Sequence, residues 1–262
     1  MPRFKLTIEY AGTRYSGWQI QKNAKTIQGE IDRAVRTVTG RKDFELYGSG
    51  RTDAGVHALG QVAHLDVSTT LRGDLLRQRI NDELPADINL LAVENVPHRF
   101  HARHDAVARR YVYQIACRRT AFAKAYVWWV KDALDVDAMR AAAASLVGMQ
   151  DFGRFAERDD DPDDRDRSTL VLIDRLDIIE QGALLLVVID GSHFLWKMVR
   201  RIVGALVEVG KGHAMPGEPA RFTAPPSGLF LDRVFYRGDA RDVPLDAITG
   251  FQWASNRAPS TS

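Results

Sequence analysis

The thirteen residues from Gly48 to Gly60, GSGRTDAGVHALG, set one carboxylate, Asp53, directly after Arg51 and Thr52, with His57 four residues on. The four glycines around these groups remove side-chain bulk, as happens where backbone must come close to a ligand. Three common phosphate or nucleophile loops do not fit. The third glycine of a dinucleotide loop, G-x-G-x-x-G, is replaced by Asp53. There is no Gly-Lys-Ser/Thr, and Ser49 stands in G-S-G rather than G-x-S-x-G. Asp53, His57, His64 and Asp66 meet no known metal-ligand spacing. No second carboxylate lies nearby, which argues against a glycosidase-type pair. Two readings are left. In one, Asp53 caps backbone N–H groups in a tight turn. In the other, kept ionised by a neighbouring Arg, it is a covalent catalyst acting on an electrophilic ring or sugar carbon.

The elements that would position this loop can be read from periodicity. Phe4, Leu6, Ile8 and Tyr10 alternate in a strand over 3–10. Thr26 is placed to cap a helix over 27–39, with Ile27, Ile31, Val35 and Val38 inward. A short strand at 44–47 leads into the loop, and Ala63, Leu65 and Val67 alternate after it. A helix near 72–84 is stopped by Pro85. Strands follow at 88–96 and 109–117, the latter with Tyr111, Tyr113, Ile115 and Cys117 on one face. An Ala-rich helix at 136–148, strands at 170–180 and 184–190, a helix at 193–209 and a last strand at 229–236 complete the reading. Interspersed helices and hairpin-like pairs predict an α+β fold with a mostly antiparallel sheet. The expected division is 1–105, 106–250 and a tail, 251–262, and the two halves have the look of a diverged duplication.

Composition sets the outer limits. The 262 residues can bury a full core, and 45% hydrophobic with 27% charged is ordinary for a globular enzyme. The single Cys, Cys117, excludes an internal disulfide and a Cys-based zinc site and fits a reducing compartment. No signal segment opens the chain and no apolar run approaches the roughly 20 residues of a membrane span, so the expected location is the cytoplasm. The formal charge is +2, but residues 157–167, ERDDDPDDRDR, hold seven acids against three arginines. This acidic run is expected to be a mobile loop pointing away from any bound polyanion. Six arginines, Arg99, Arg103, Arg109, Arg110, Arg118 and Arg119, crowd a stretch whose one acid is Asp105. Such a cluster is either a solvated face or a phosphate-binding surface.

GSGRTDAGVHALGQVAHLD closely resembles the catalytic loop of the bacterial tRNA pseudouridine synthases of the A family. The resemblance continues through YAGTRYSGWQIQ (10–21), TIQGEIDRAV (26–35), RFHAR (99–103), ARRYVYQI (108–115), GSHFLWKMVRRIVGALVEVGKG (191–212) and APPSGLFLDRVFY (224–236). It implies the pseudouridine synthase fold, with two pseudo-repeated halves of a mostly antiparallel sheet flanked by helices. It also implies isomerisation of uridine to pseudouridine in the anticodon stem-loop of tRNA, at positions 38, 39 and 40, by a homodimer needing no cofactor or metal.

Residue roles follow from the same resemblance. Asp53 matches the family nucleophile, attacking either the sugar or the base. Arg51 matches the Arg that takes the place of the flipped uridine. Tyr111 matches the tyrosine packed on the uracil, and Leu229 an apolar residue lining its pocket; without the family, both read as ordinary strand core. Arg200 matches the Arg that pairs with the nucleophile, its alternative being a snorkelling surface residue. Arg109 and Arg110 fall to the phosphate-binding surface. His57 and His101 read as structural. His104 and Asp105 depart from the family, which has an aromatic and a small polar residue there. Competing functions are a tRNA-binding protein that kept the fold without the chemistry, and a metal-dependent hydrolase built on Asp53 and the histidines.

Overall fold

The computed structural model describes residues 1–157, 168–243, 245 and 248. In chain order the elements are β1 (Arg3–Tyr10), α1 (Ile27–Thr39), β2 (Glu45–Gly48), β3 (His57–Asp66), α2 (Gly73–Glu83), β4 (Ile88–Val96) and β5 (Ala108–Ala116). There follow β6 (Trp128–Trp129), α3 (Val136–Ala144), β7 (Gly148–Asp151), β8 (Leu170–Gln181), β9 (Leu184–Gly191), α4 (Met198–Gly210) and β10 (Leu229–Phe235). They form two compact units. The first is Met1–Arg110 with Phe230–Arg241; the second takes the described residues of Tyr111–Leu229 together with Asp242, Val243, Leu245 and Ile248.

In the first unit the sheet runs β4–β1–β3–β10, with β2 also on β3. β1 is antiparallel to both β3 and β4, and β10 runs parallel to β3 through Phe230–His57 and Leu231–Ala58. Strict alternation along β1 buries Phe4, Leu6, Ile8 and Tyr10. The register of β1 against β3 slips between Ile8 and Tyr10, a bulge that re-aims the end of the strand nearest the Gly-rich loop. Thr26 caps α1 as its sequence position predicts, accepting from the Gly29 N–H at 3.2 Å. Ile27, Ile31 and Val35 are buried, while Val38 is only partly so.

In the second unit the order is β5–β9–β8–β7, with β6 parallel to β5 through Ile115–Trp128 and Ala116–Trp129. β8 and β9 form a hairpin turning at Gly182 and Ala183. β9 is buried on both faces, and its core joins Leu184, Leu186 and Val188 to Val112, Ala116, Ala123 and Val127.

Several boundaries differ from the sequence reading. β3 begins at His57, inside the stretch read as loop, because the β10 pairing extends it. α3 stops at Ala144, not 148: the Ser145 hydroxyl turns back onto the Ala142 carbonyl at 2.7 Å, and Gly148 at φ +104° opens β7. α4 starts at Met198, not 193, because Lys197 sits in the left-handed region at φ +60°. β5 ends at Ala116, so Cys117 lies just beyond the strand, and it is exposed. β6 and β7 are too short to leave a periodic signature. The acidic run lies outside the described residues except for Glu157.

Candidate active site

The Asp53 loop in the first unit is fixed at both ends. At its start, the Ser49 N–H donates to the Val62 carbonyl at 2.7 Å and the Ser49 hydroxyl to Gln61 Oε1 at 2.7 Å. The fully buried Gln61 returns its amide to the Gly50 carbonyl at 3.0 Å. At its end, the Val56 N–H closes a turn onto the Asp53 carbonyl at 3.1 Å. Between these flanks lies the segment Arg51 to Gly55. Arg51 is exposed and Asp53 half-buried within it.

The chain after β1 clamps this segment from the other side. The Tyr10 hydroxyl meets the Thr52 hydroxyl at 2.8 Å, with both side chains buried. The Trp18 N–H donates to the Thr52 carbonyl at 3.1 Å, and the Gly55 N–H to the Tyr15 carbonyl at 3.2 Å. Gly17, at φ +91°, passes so close that an added Cβ would lie 2.6 Å from the Thr52 carbonyl oxygen. Tyr15 is itself held by its hydroxyl, which donates to Asp87 at 2.5 Å, beside the Arg14 guanidinium on the same carboxylate. Burial opposes the charge on Asp87, yet the hydrogen bonds from Tyr15 and Arg14 hold it below the usual carboxylate range. Burial and the bond to Asp87 push the Tyr15 phenol up, so it stays a donor.

His57 is buried, with its Nδ1 accepting from the Gly12 N–H at 3.1 Å and its ring stacked 4.7 Å from Phe230. It ties the turn after β1 to β3. The Nδ1 of His64 accepts from the Ala102 N–H at 3.2 Å, and Asp66 takes two bonds from Arg3 at 2.7 and 2.5 Å. With these atoms committed, the hydrolase reading loses its ligand set; among the described residues no group of three or more His, Cys, Asp or Glu is placed to hold a metal.

The basic cluster divides by geometry. Arg109 reaches from β5 to the Asp53 loop, donating to the carbonyls of Ser49 and Arg103, each at 3.1 Å. Arg110 is fully buried, its guanidinium 5.3 Å from the Phe235 ring centroid and bonded to the Arg241 carbonyl at 2.7 Å. It braces the core and, so placed, offers no charge to a phosphate. The two residues that depart from the family pattern build the turn beside it. Asp105 accepts from the His101 N–H at 2.9 Å, and the His104 ring lies 4.2 Å from that of His101.

The other sequence-identified residues belong to the second unit. Tyr111 is half-buried and meets Phe194 edge-on, with centroids 5.2 Å apart. Arg200 lies on the first turn of α4, where its Nε donates to the Ala224 carbonyl at 2.7 Å and its own carbonyl accepts from the Ala224 N–H at 3.0 Å. Gly204, one turn on, makes this close approach possible: a Cβ there would fall 1.4 Å from the Phe222 carbonyl oxygen. Tyr113 donates to the Pro225 carbonyl at 2.8 Å, and Leu229 is buried just beyond. At the entry to α4, Glu157 accepts from Lys197 at 2.8 Å and Arg201 at 2.5 Å, which fixes the strained turn ahead of Arg200. The Lys197 bond, with Arg201 and Arg200 near, holds the Glu157 carboxyl below its ordinary value.

Reasoning from sequence singled out residue types that could do chemistry and missed those that seat the Asp53 loop: Tyr10, Tyr15, Gly17, Trp18, Gln61 and Asp87. Tyr10, Tyr15, Gly17 and Trp18 stand in the quoted YAGTRYSGW stretch, but only pairing at long range shows what they hold.

A family model described as tRNA pseudouridine synthase matches residues 6–105 and again 142–237, one match in each half. The chain is 41% identical to a tRNA pseudouridine synthase A of Nitrobacter winogradskyi over 94% of its own length and 98% of that protein. It is similarly 41% and 40% identical to proteins of that name from Rhodopseudomonas palustris and Afipia carboxidovorans, covering 90% of this chain and 100% of each. A chain of the solved Cbf5-Nop10-Gar1 complex aligns over 78% of this chain and 54% of its own at 10% identity and TM-score 0.32, a likeness too slight to bear on the fold. By the match across both halves and by these relatives, the chain belongs to the tRNA pseudouridine synthase family.

Proposed function

We propose that this protein isomerises uridine to pseudouridine in the anticodon stem-loop of tRNA, at positions 38, 39 and 40. The observation that carries the reading is the seating of Asp53. In a chain of this family, the one carboxylate of the Gly-rich loop stands half-buried on a five-residue segment that is held at its start by Gln61 and along its length by Tyr10, Trp18 and Tyr15. Such fixing suits a nucleophile that must meet a reacting carbon in one geometry.

In this reaction the N1–C1′ bond of uridine breaks and a C5–C1′ bond forms. The C5 hydrogen leaves to solvent and N1 gains a proton, so atoms and electrons balance with no redox partner or cofactor. Asp53 is the nucleophile that carries the substrate between these states. The target base leaves the stack, and Arg51, exposed beside Asp53, takes its place. Tyr111 packs on the uracil, Leu229 gives it an apolar wall, and Arg200 is the cationic partner of the Asp53 carboxylate. Arg109 acts by holding the Asp53 loop rather than by touching RNA. The protein works in the cytoplasm as a homodimer.

The test is hydrogen release from C5 of uridine in labelled, unmodified tRNA, with a chelator present and no cofactor, followed by mapping of the modified positions. Release with modification at 38, 39 and 40 is expected. Stable, tight tRNA binding without release would favour the non-catalytic binder instead.

A further inference from the structure

The connection between β5 and β6 carries a surface that the isomerase chemistry does not use. From Cys117 to Lys131 the chain has four cations, Arg118, Arg119, Lys124 and Lys131, and no acid. All four are exposed. Among them stands Phe122, 84% exposed, the most exposed of the large apolar side chains described, and Trp129 at 41%. The Arg119 guanidinium lies 5.8 Å from the Trp129 ring centroid. The scaffold beneath is ordered. Ala123 and Val127 are buried in the core of the second unit, the Tyr126 N–H donates to the Ala123 carbonyl at 2.8 Å, and the Val130 N–H to the Ala116 carbonyl at 3.1 Å. Gln114 adds a bond to the Tyr126 carbonyl at 2.9 Å. The acids of adjoining elements already face cations: Glu180 is bonded to Arg140 at 2.9 Å, and Asp132 lies 3.9 Å from Lys211.

We propose that Cys117–Lys131 is an auxiliary RNA-binding platform, on which Phe122 and Trp129 stack unpaired bases of the tRNA while Arg118, Arg119, Lys124 and Lys131 take its phosphates. An exposed aromatic ring set among cations, on a segment with no acid, disfavours a neutral apolar partner and suits a polyanion with π faces. Stacking platforms for single strands combine these two features. None of Phe122, Trp129, Arg118, Arg119, Lys124 and Lys131 has a part in the proposed chemistry, so loss of the platform acts on affinity. The inference rests on tRNA being the substrate.

The experiment measures binding of unmodified tRNA by fluorescence anisotropy at several salt concentrations, with single-turnover C5 hydrogen release at saturating enzyme in parallel. Phe122→Ala is expected to weaken binding roughly tenfold with an unchanged salt slope, the effect of losing one stacked base. Phe122→Leu must weaken it as well, since Leu keeps the apolar contact but not the stack. The pair Arg118→Ala with Arg119→Ala should flatten the slope of log affinity against log salt by about 1.5. Single-turnover rates should match wild type throughout. Wild-type affinity at every salt in the Phe122 and Arg variants would overturn the proposal, and full affinity in Phe122→Leu would overturn base stacking. Failure of the wild type to release label would sink the isomerase reading instead, while the affinities alone decide the platform.

Discussion

The hydroxyls of Tyr10 and Thr52 lie 2.8 Å apart, buried, one residue before Asp53. One comes from the end of β1, just past its bulge, and the other from the Gly-rich loop. The bond therefore transmits the position of the sheet to the candidate nucleophile. Replacing Tyr10 by Phe keeps the packing and removes this link. The expected cost in stability is about 1 kcal/mol, typical of one buried hydrogen bond. Turnover should fall more steeply, by roughly tenfold or more, because a slight misplacement of a reacting group is amplified in rate. Chemical denaturation and the label-release rate, measured on the same preparation, check the two parts.

Gly17 tests the clamp from the opposite side. Its φ of +91° and the 2.6 Å that would separate an added Cβ from the Thr52 carbonyl oxygen leave no room for a side chain. Gly17→Ala should lose at least about a hundredfold in kcat/KM. Its destabilisation should be about 2 kcal/mol, from strain and overpacking together. A variant as active as wild type would show that the turn after β1 has no part in positioning Asp53.

In the second unit, Gly204→Ala drives a methyl into the Phe222 carbonyl, whose segment also receives the Arg200 bonds. The expected loss is about 3 kcal/mol, the upper part of the overpacking range. Thermal unfolding reads it directly.

The acid side of the stability profile has a named source. Burial first, and the nearby Arg3 second, push His64 down to about 4 from an ordinary 6.5. The unfolded chain binds that proton more readily, so the stabilisation is fully present above pH 6.5 and drains away as pH falls through 4. At about 1.4 kcal/mol per unit, the window is worth roughly 3 kcal/mol. His101, likewise pushed down by burial and by His104, adds to the same window. Asp66, lowered by its bonds to Arg3, acts only below its ordinary 3.8. Urea titrations between about pH 7 and 4 should show the decline in wild type and a flatter profile in His64→Phe.

Much of this was legible in the residues because local physics decided it. β1 and α1 came out at the expected bounds, since alternation and a Thr cap are signals carried within a short stretch of chain. β4 did likewise. The ends of α3 and α4 were misjudged because Lys197 in a left-handed conformation and the Ser145 turn override a continuing helical pattern. For the site, Arg51 and Asp53 stood out by composition, whereas Gln61 reads as any strand residue until Ser49 and Gly50 are seen against it. Arg110 was misread for a related reason. A charge cluster in sequence does not tell which guanidinium faces water and which lies over Phe235.

The central claim is that Asp53 is the nucleophile of an RNA isomerase. The most direct measurement is single-turnover C5 hydrogen release from labelled tRNA by wild type and by Asp53→Asn, a variant of nearly equal size. We predict release by wild type and a loss of at least about 10⁴-fold in Asp53→Asn, the scale of removing a covalent catalyst, with tRNA affinity kept within a few-fold. Release by Asp53→Asn within roughly tenfold of wild type would contradict the account.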